Sequence, residues 1–245
     1  MPRYRLDLSY DGSGFHGFAR QAPGVRTVQG VLEESLGRVF QEDVTLVVAG
    51  RTDTGVHARH QVVSFTAGRE IPTSQVVRAA TSMLGPEVVA THCSVVPADF
   101  SARFDAVSRT YRYFLVDGET ADPLRRHTTW HVSQRLDTDA MNRAAADFVG
   151  ERDFATFCRR KDGRPTVRTV YGAEVRRELD ETVIFEIRAK AFCHQMVRSI
   201  TGFLVEVGRG RRPADAVPGL LAAHDRAAVP SPAPPSGLVL WLVQY

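Results

Sequence analysis

The sequence predicts an α+β protein built on a largely antiparallel sheet. Three patterns carry that expectation. Tyr4, Leu6, Leu8 and Tyr10 alternate with mostly polar residues, the period of a half-buried strand. Val28, Val31, Leu32, Leu36, Val39 and Phe40 recur at helical spacing behind Thr27, a residue able to cap a helix N-terminus. "TVRTVYGAEVRREL" and "TVIFEIRAK" flank the polar "DET", as the two strands of a hairpin would. Helices set between strand groups, with hairpins, argue for α+β layers.

The elements follow in order. Strand 3–10 ends in the turn-rich "YDGSGFHG". After the first helix, "VTLVVAG" reads as a short buried strand, the segment from Arg51 as a loop, and "QVVSFTA" as another strand. A helix over roughly 74–84 carries Val77, Ala80 and Leu84 on one face, and "EVVATHCSVV" is strand-like. In "TYRYFLV", Tyr111, Tyr113 and Leu115 share one face and Arg112, Phe114 and Val116 the other. A helix over 138–149 starts near Asp137, and one over 194–207 ends at Gly208, a natural C′ position. Another runs from near Pro213 to about Ala223. "VPSPAPPSG" is too short to link independent domains and is expected to lie over the surface. "GLVLWLVQY" is a final apolar strand. The chain divides into an N-terminal half, 1–105, and a C-terminal half, 106–245, which share an element order but no sequence repeat.

Composition narrows the class. Hydrophobic content of 43% and charged content of 24% in 245 residues suit a soluble globular protein with a substantial core. No apolar run approaches the roughly 20 residues that span a bilayer. The strand-like N-terminus does not read as a signal peptide. Cys93, Cys158 and Cys193 are odd in number and form no CxxC pair, so neither a disulfide framework nor a zinc site is expected. A reducing cytoplasm fits them. P-loop, GxGxxG, HExxH and GxSxG motifs are absent, as is the zinc-deaminase signature. Net charge is only +3, yet the cations comprise 29 arginines and two lysines. Arginine suits phosphate and base stacking; a compositional bias of the genome would give the same count.

Four stretches could carry chemistry. "AGRTDTGVHARHQVV" puts Asp53 in a Gly-flanked turn between Arg51 and His57. A turn aspartate bonding its own backbone is the simplest explanation of an isolated Asp-Thr-Gly. The neighbouring cations favour an ionised carboxylate, fit to act as nucleophile or general base. An aspartic-protease reading fails because there is no second Asp-Thr/Ser-Gly, and Arg51 opposes a proton shared between two acids. His57 is open to two roles, a structural donor or an RNA contact. In "SRTYRYF", Tyr111 stands between Arg109 and Arg112, either as a core tyrosine or as a ring that stacks on a base. "AKAFCHQMVRSITG" places Phe192, His194 and Arg198 at a strand-to-helix junction, with His194 and Arg198 four residues apart and so on one helix side. "CRRKDGRPTVRTV" gathers Arg159, Arg160, Lys161, Arg164 and Arg168 around an Asp-Gly turn, a solvated loop or a phosphate-tracking one.

Taken together, the chain resembles the tRNA pseudouridine synthase A family from end to end. "YDGSGFHGFARQ", "RTVQGVLEESL", "AGRTDTGVHARHQVVSF", "FSARFDAVSRTYRYFL", "AFCHQMVRSITG" and "APPSGLVLWLVQY" occur in the family's order. The resemblance implies two ferredoxin-like halves joined into one sheet, with helices on one side and a central active cleft. It implies an isomerase converting uridine to pseudouridine in the anticodon stem-loop of tRNA, around positions 38–40. It implies no cofactor and no metal, and a homodimer that contacts one tRNA with both subunits. Asp53 then stands at the catalytic aspartate, Tyr111 at the tyrosine that stacks on the target base, Arg51 at an arginine that helps extrude it, and Arg198 at an arginine expected to pair with the aspartate. Arg20, Arg59 and His57, with Arg109, Arg112, His194 and the basic loop, are the expected RNA contacts. An inactive tRNA-binding or chaperone protein on the same fold is the rival reading. The chain departs from the family at Phe18, where tryptophan is common, at Ala19, where glutamine is, and at Ser199, where asparagine is.

Overall fold

The structure is a computed structural model and describes residues 1–159 and 165–245. In chain order the elements are β1 (Arg3–Tyr10), α1 (Val28–Phe40), β2 (Val47–Val48), β3 (His57–Thr66), α2 (Thr73–Leu84), β4 (Val88–Val96), β5 (Ser108–Asp117), β6 (Trp130–Val132), α3 (Thr138–Ala146), β7 (Gly150–Asp153), β8 (Val167–Arg177), β9 (Val183–Ala189), α4 (Met196–Gly208), α5 (Val217–Ala223) and β10 (Leu238–Gln244). They form two compact units, residues 1–107 with 239–245, and residues 108–238. The α+β class and the mostly antiparallel pairing are those the sequence predicts.

In the first unit β1 lies between β3 and β4, antiparallel to both, and β10 joins β3 in parallel. β10 therefore completes this unit's sheet, although the sequence division at 105/106 set it with the C-terminal half. The alternation of β1 explains its place: Tyr4, Leu6 and Leu8 are wholly buried and Tyr10 nearly so. Their partners on β3 are Phe65, Val63, Gln61 and Ala58, with a bulge between the Leu8 and Tyr10 positions. Leu32, Leu36 and Phe40 of α1 pack on that face, where Tyr4 stacks on Phe65 at 5.2 Å. Thr27 caps α1 as expected, accepting the Gly30 N–H at 3.2 Å. α2 buries Val76 and Ala80; Ala80 lies on the predicted face, while the other two predicted residues, Val77 and Leu84, are only half-buried. The predicted strand over "VTLVVAG" shrinks to the two ladder residues Val47 and Val48, with Ala49 N–H adding one further bond to the Val62 carbonyl of β3 at 2.9 Å.

In the second unit the order is β5-β9-β8-β7, all antiparallel, with β6 parallel to the outer side of β5. The predicted hairpin is β8–β9, closing at the pair Arg177–Val183. Tyr111, Tyr113 and Leu115 share the buried face of β5, as their spacing requires. A cluster of Phe148, Phe154, Phe157 and Phe203 fills the core beneath α4. α3 stops at Ala146 rather than 149, because Phe148 and Val149 close i→i+3 bonds that turn the Phe148 ring inward. The last predicted helix is a 3₁₀ turn at Ala214–Ala216 followed by α5. The Pro-rich segment does not lie loosely over the surface. Ala233 is buried and exchanges bonds with Arg198, and the Tyr113 hydroxyl donates to the Pro234 carbonyl at 2.7 Å.

One buried charge secures this unit. The Asp117 carboxylate, with no exposed side-chain surface, accepts both Nη groups of Arg177 at 2.7 and 2.8 Å and the Leu136 N–H at 2.7 Å. Burial alone would raise its pKa. The Arg177 fork and the Leu136 N–H outweigh burial and hold it below the ordinary carboxylate range. A lowered folded-state pKa stabilises the fold above the unfolded value of about 3.9, and that contribution disappears as pH falls through the folded value. Asp117→Asn is expected to cost about 2–3 kcal/mol in urea denaturation at pH 7. The gap to wild type should narrow steadily below about pH 4; a gap independent of pH would refute the ion pair's role.

Candidate active site

Asp53 lies in the turn between β2 and β3, and the turn is held from outside. Val56 N–H closes it onto the Asp53 carbonyl at 3.1 Å. Phe18 N–H donates to the Thr52 carbonyl at 3.0 Å, and Gly55 N–H to the Phe15 carbonyl at 3.4 Å. The "DGSGFHGF" loop after β1 therefore lies directly against the Asp53 turn. A Cβ on Gly12 would collide with the Val56 carbonyl. Gly17, at φ +88°, has the Thr52 carbonyl 3.0 Å from where its Cβ would stand. Both glycines are required by close backbone approach.

Behind the turn is a buried polar chain. The Thr52 hydroxyl bonds the Tyr10 hydroxyl at 2.8 Å, and the Gln61 amide donates to the Gly50 carbonyl at 2.7 Å and to Tyr10 at 3.4 Å. Burial pushes the Tyr10 phenol up to about 12, against the opposing bonds from Thr52 and Gln61, so it stays a neutral hydroxyl. Asp53 itself is half-buried, and Arg51 is exposed.

His57 is 6% exposed, and its Nδ1 accepts the Gly12 N–H at 3.1 Å. Asp11 Oδ1 is also 3.1 Å from that nitrogen. His57 is thus a buried acceptor that fixes the glycine loop. His57, one of the expected RNA contacts, is thus packed against the glycine loop.

In the second unit Tyr111 is 8% exposed on β5, and its ring meets Phe192 edge to face at 5.0 Å and 87°. Arg198, on the first turns of α4, donates through Nε to the Ala233 carbonyl at 2.7 Å and accepts the Ala233 N–H through its own carbonyl. α4 begins at Met196 behind Gln195, whose φ of 62° breaks the helix. His194 therefore lies before the helix, and the predicted shared helix face of His194 and Arg198 does not exist. The His194 carbonyl accepts the Arg159 N–H at 3.0 Å.

Several arginines expected at RNA are engaged within the protein. Arg20 grips the buried Glu33 at 2.7 Å. Arg109, 8% exposed, donates to the Lys190 carbonyl at 2.8 Å, and Arg112 pairs with Glu186. Arg59 lies over the Trp241 ring at 4.6 Å. Arg168 donates to the Val167 carbonyl at 2.6 Å. Arg159 is exposed; Arg160, Lys161 and Arg164 lie outside the described residues. Sequence reasoning missed Gly12, Gly17, Tyr10, Thr52 and Gln61. The signal available for Gln61 was a polar residue at an inward strand position. Among the described residues no cluster of three or more His, Cys, Asp or Glu side chains is placed to hold a metal ion. No helix described is long and apolar enough to cross a membrane.

Comparison with known proteins gives this geometry a family. The family described as tRNA pseudouridine synthase matches residues 8–105 and 144–245. A tRNA pseudouridine synthase A of Frankia casuarinae is 44% identical, covering 100% of this chain and 90% of the relative. That of Halalkalibacterium halodurans is 41% identical over 98% of this chain and 91% of its own. That of Listeria innocua is 38% identical over the full length of both. The chain belongs to the tRNA pseudouridine synthase family.

Proposed function

We propose that this tRNA pseudouridine synthase uses the Asp53 carboxylate as its catalytic group, with Tyr111, Arg198 and Arg51 serving the same reaction. The protein isomerises uridine to pseudouridine in tRNA. The observation that carries the assignment of Asp53 is its turn: a half-buried carboxylate whose backbone is bonded on both sides to a second loop. A carboxylate held that way is aimed rather than free to sample solvent, which is what positioning catalysis needs.

The reaction breaks the bond between uracil N1 and ribose C1′ and forms one between C5 and C1′. The C5 proton leaves, and N1 gains one, so no oxidant or co-reactant is required. Two routes fit one carboxylate. Asp53 attacks the nucleoside directly, or it takes a ribose proton and gives a glycal-like intermediate. A primary isotope effect from deuterium at C2′ selects the second. Tyr111 stacks on the extruded base and handles a proton. Arg51 helps the base leave its stack, a step that costs a few kcal/mol. Arg198 supplies a cation to the same reaction, as the family resemblance implies. The target is the anticodon stem-loop, around positions 38–40, in the cytoplasm, and the active form is a homodimer; the family resemblance supports these finer points.

Two measurements test the reading. Asp53→Asn should abolish tritium release from C5-labelled uridine in tRNA while leaving tRNA affinity within about threefold of wild type; full activity would sink the assignment. Replacing Arg159, Arg160 and Lys161 with glutamine should weaken tRNA binding and lower the slope of log affinity against log salt by about 1 for each phosphate no longer neutralised. An unchanged slope would remove the loop from the RNA interface.

A further inference from the structure

We infer that Tyr10 and Gln61 are positioning residues for the uridine isomerisation, acting through Thr52 and Gly50 to hold the turn that carries Asp53. The inference rests on the reading of Asp53 as the catalytic carboxylate. Gln61 occupies an inward position on β3, opposite Leu8, on the face where Val63 and Phe65 are wholly apolar. It has no exposed surface. Burying an amide costs free energy unless its donors and acceptor are satisfied. Here they are satisfied, and the shortest of the bonds goes to the carbonyl of Gly50 at the start of the Asp53 turn. Nε2 bonds the Gly50 carbonyl at 2.7 Å and Tyr10 Oη at 3.4 Å, and Oε1 accepts the Val62 N–H at 3.2 Å.

Tyr10 continues the chain. Because its oxygen accepts from Gln61, its own proton is available to Thr52 Oγ1 at 2.8 Å. Gly50 and Thr52 bracket Arg51, and Thr52 immediately precedes Asp53. The network thus grips the incoming side of the turn, while Phe18 and Phe15 grip its backbone and Val56 closes it. A bulge in the β1–β3 pairing separates the Leu8 and Tyr10 positions. A leucine at position 61 would suit the core better, so the amide is explained by what it holds.

Tyr10→Phe removes one hydroxyl, and Gln61→Leu removes the amide with little change of volume. Each is expected to lower the single-turnover rate of pseudouridine formation by about ten- to a hundredfold with tRNA Kd unchanged. The Tyr10→Phe/Gln61→Leu double variant should be no slower than the slower single, as for groups that act as one unit. Hydrogen exchange in residues 50–56 should rise in both variants. Val63→Ala, a cavity in the same strand, serves as control: it should lower Tm without changing rate or exchange. Single variants within about twofold of the wild-type rate, beside an inactive Asp53→Asn, would overturn the inference alone. An equal rate loss in Val63→Ala would also overturn it, by showing a general effect of stability. An active Asp53→Asn would instead overturn the reading of Asp53 on which the inference depends.

Discussion

The approach of the Gly12 backbone to the Val56 backbone is the contact on which the rest of the Asp53 site depends. The two residues are far apart in sequence, and no side chain intervenes between them. That contact seats the loop after β1 on the turn before β3. It lets Phe18 and Phe15 exchange bonds with Thr52 and Gly55, and it brings Gly12 N–H onto His57. A methyl group at position 12 would push the two strands' loops apart. The turn would then lose its external bonds together, since each needs the same close approach. An isomerisation that rearranges one nucleotide draws its rate from placement and charge, and placement of this kind is worth several kcal/mol when complete.

Burial is tolerated at both units' polar centres for one reason, complete satisfaction, but by different means. At Asp117 a full charge is countered by the Arg177 fork and a backbone N–H. Behind Asp53 the network is neutral: a phenol pushed up by burial, a threonine and an amide. The neutral solution adds no second charge beside the proposed catalytic carboxylate. A second buried acid there would compete for the same proton and cation. The charged pair that secures the second unit lies on β5 and β8, and the Asp53 turn belongs to the first.

Periodic segments were legible in the sequence because their burial is one-sided. β1, α1, the buried face of β5 and the β8–β9 hairpin follow from spacing alone. What spacing could not give was set by contacts between distant residues. β6 and β7, three and four residues long, are strands because β5 and β8 pair with them. The start of α4 depends on a left-handed Gln195, an unusual conformation for that residue type, so the helix face assigned to His194 was wrong. The motif around Asp53 was visible as a motif. Its support was not, because Gly12, Tyr10 and Gln61 belong to β1, its loop and β3, and only folding brings them to one turn.

Arginine shows the same limit. Charge and neighbours in the chain nominated Arg20, Arg109 and Arg112, yet Glu33, the Lys190 carbonyl and Glu186 hold them. Tyrosine shows how folding separates residues that sequence treats alike. Tyr111 and Tyr113 lie two apart on one strand face, with arginines beside both. The Tyr113 hydroxyl is bound to the Pro234 carbonyl, and burial raises its pKa further, so it neither gives up a proton nor turns toward a base. Tyr111 instead meets the Phe192 ring edge to face, a few residues before α4 and Arg198. An edge-to-face contact limits the tilt of the Tyr111 ring, which suits the proposed stacking on an extruded base. Of the two tyrosines, the proposed chemistry therefore falls to Tyr111, and Tyr113 serves to hold the Pro-rich segment against the strand from which Tyr111 projects.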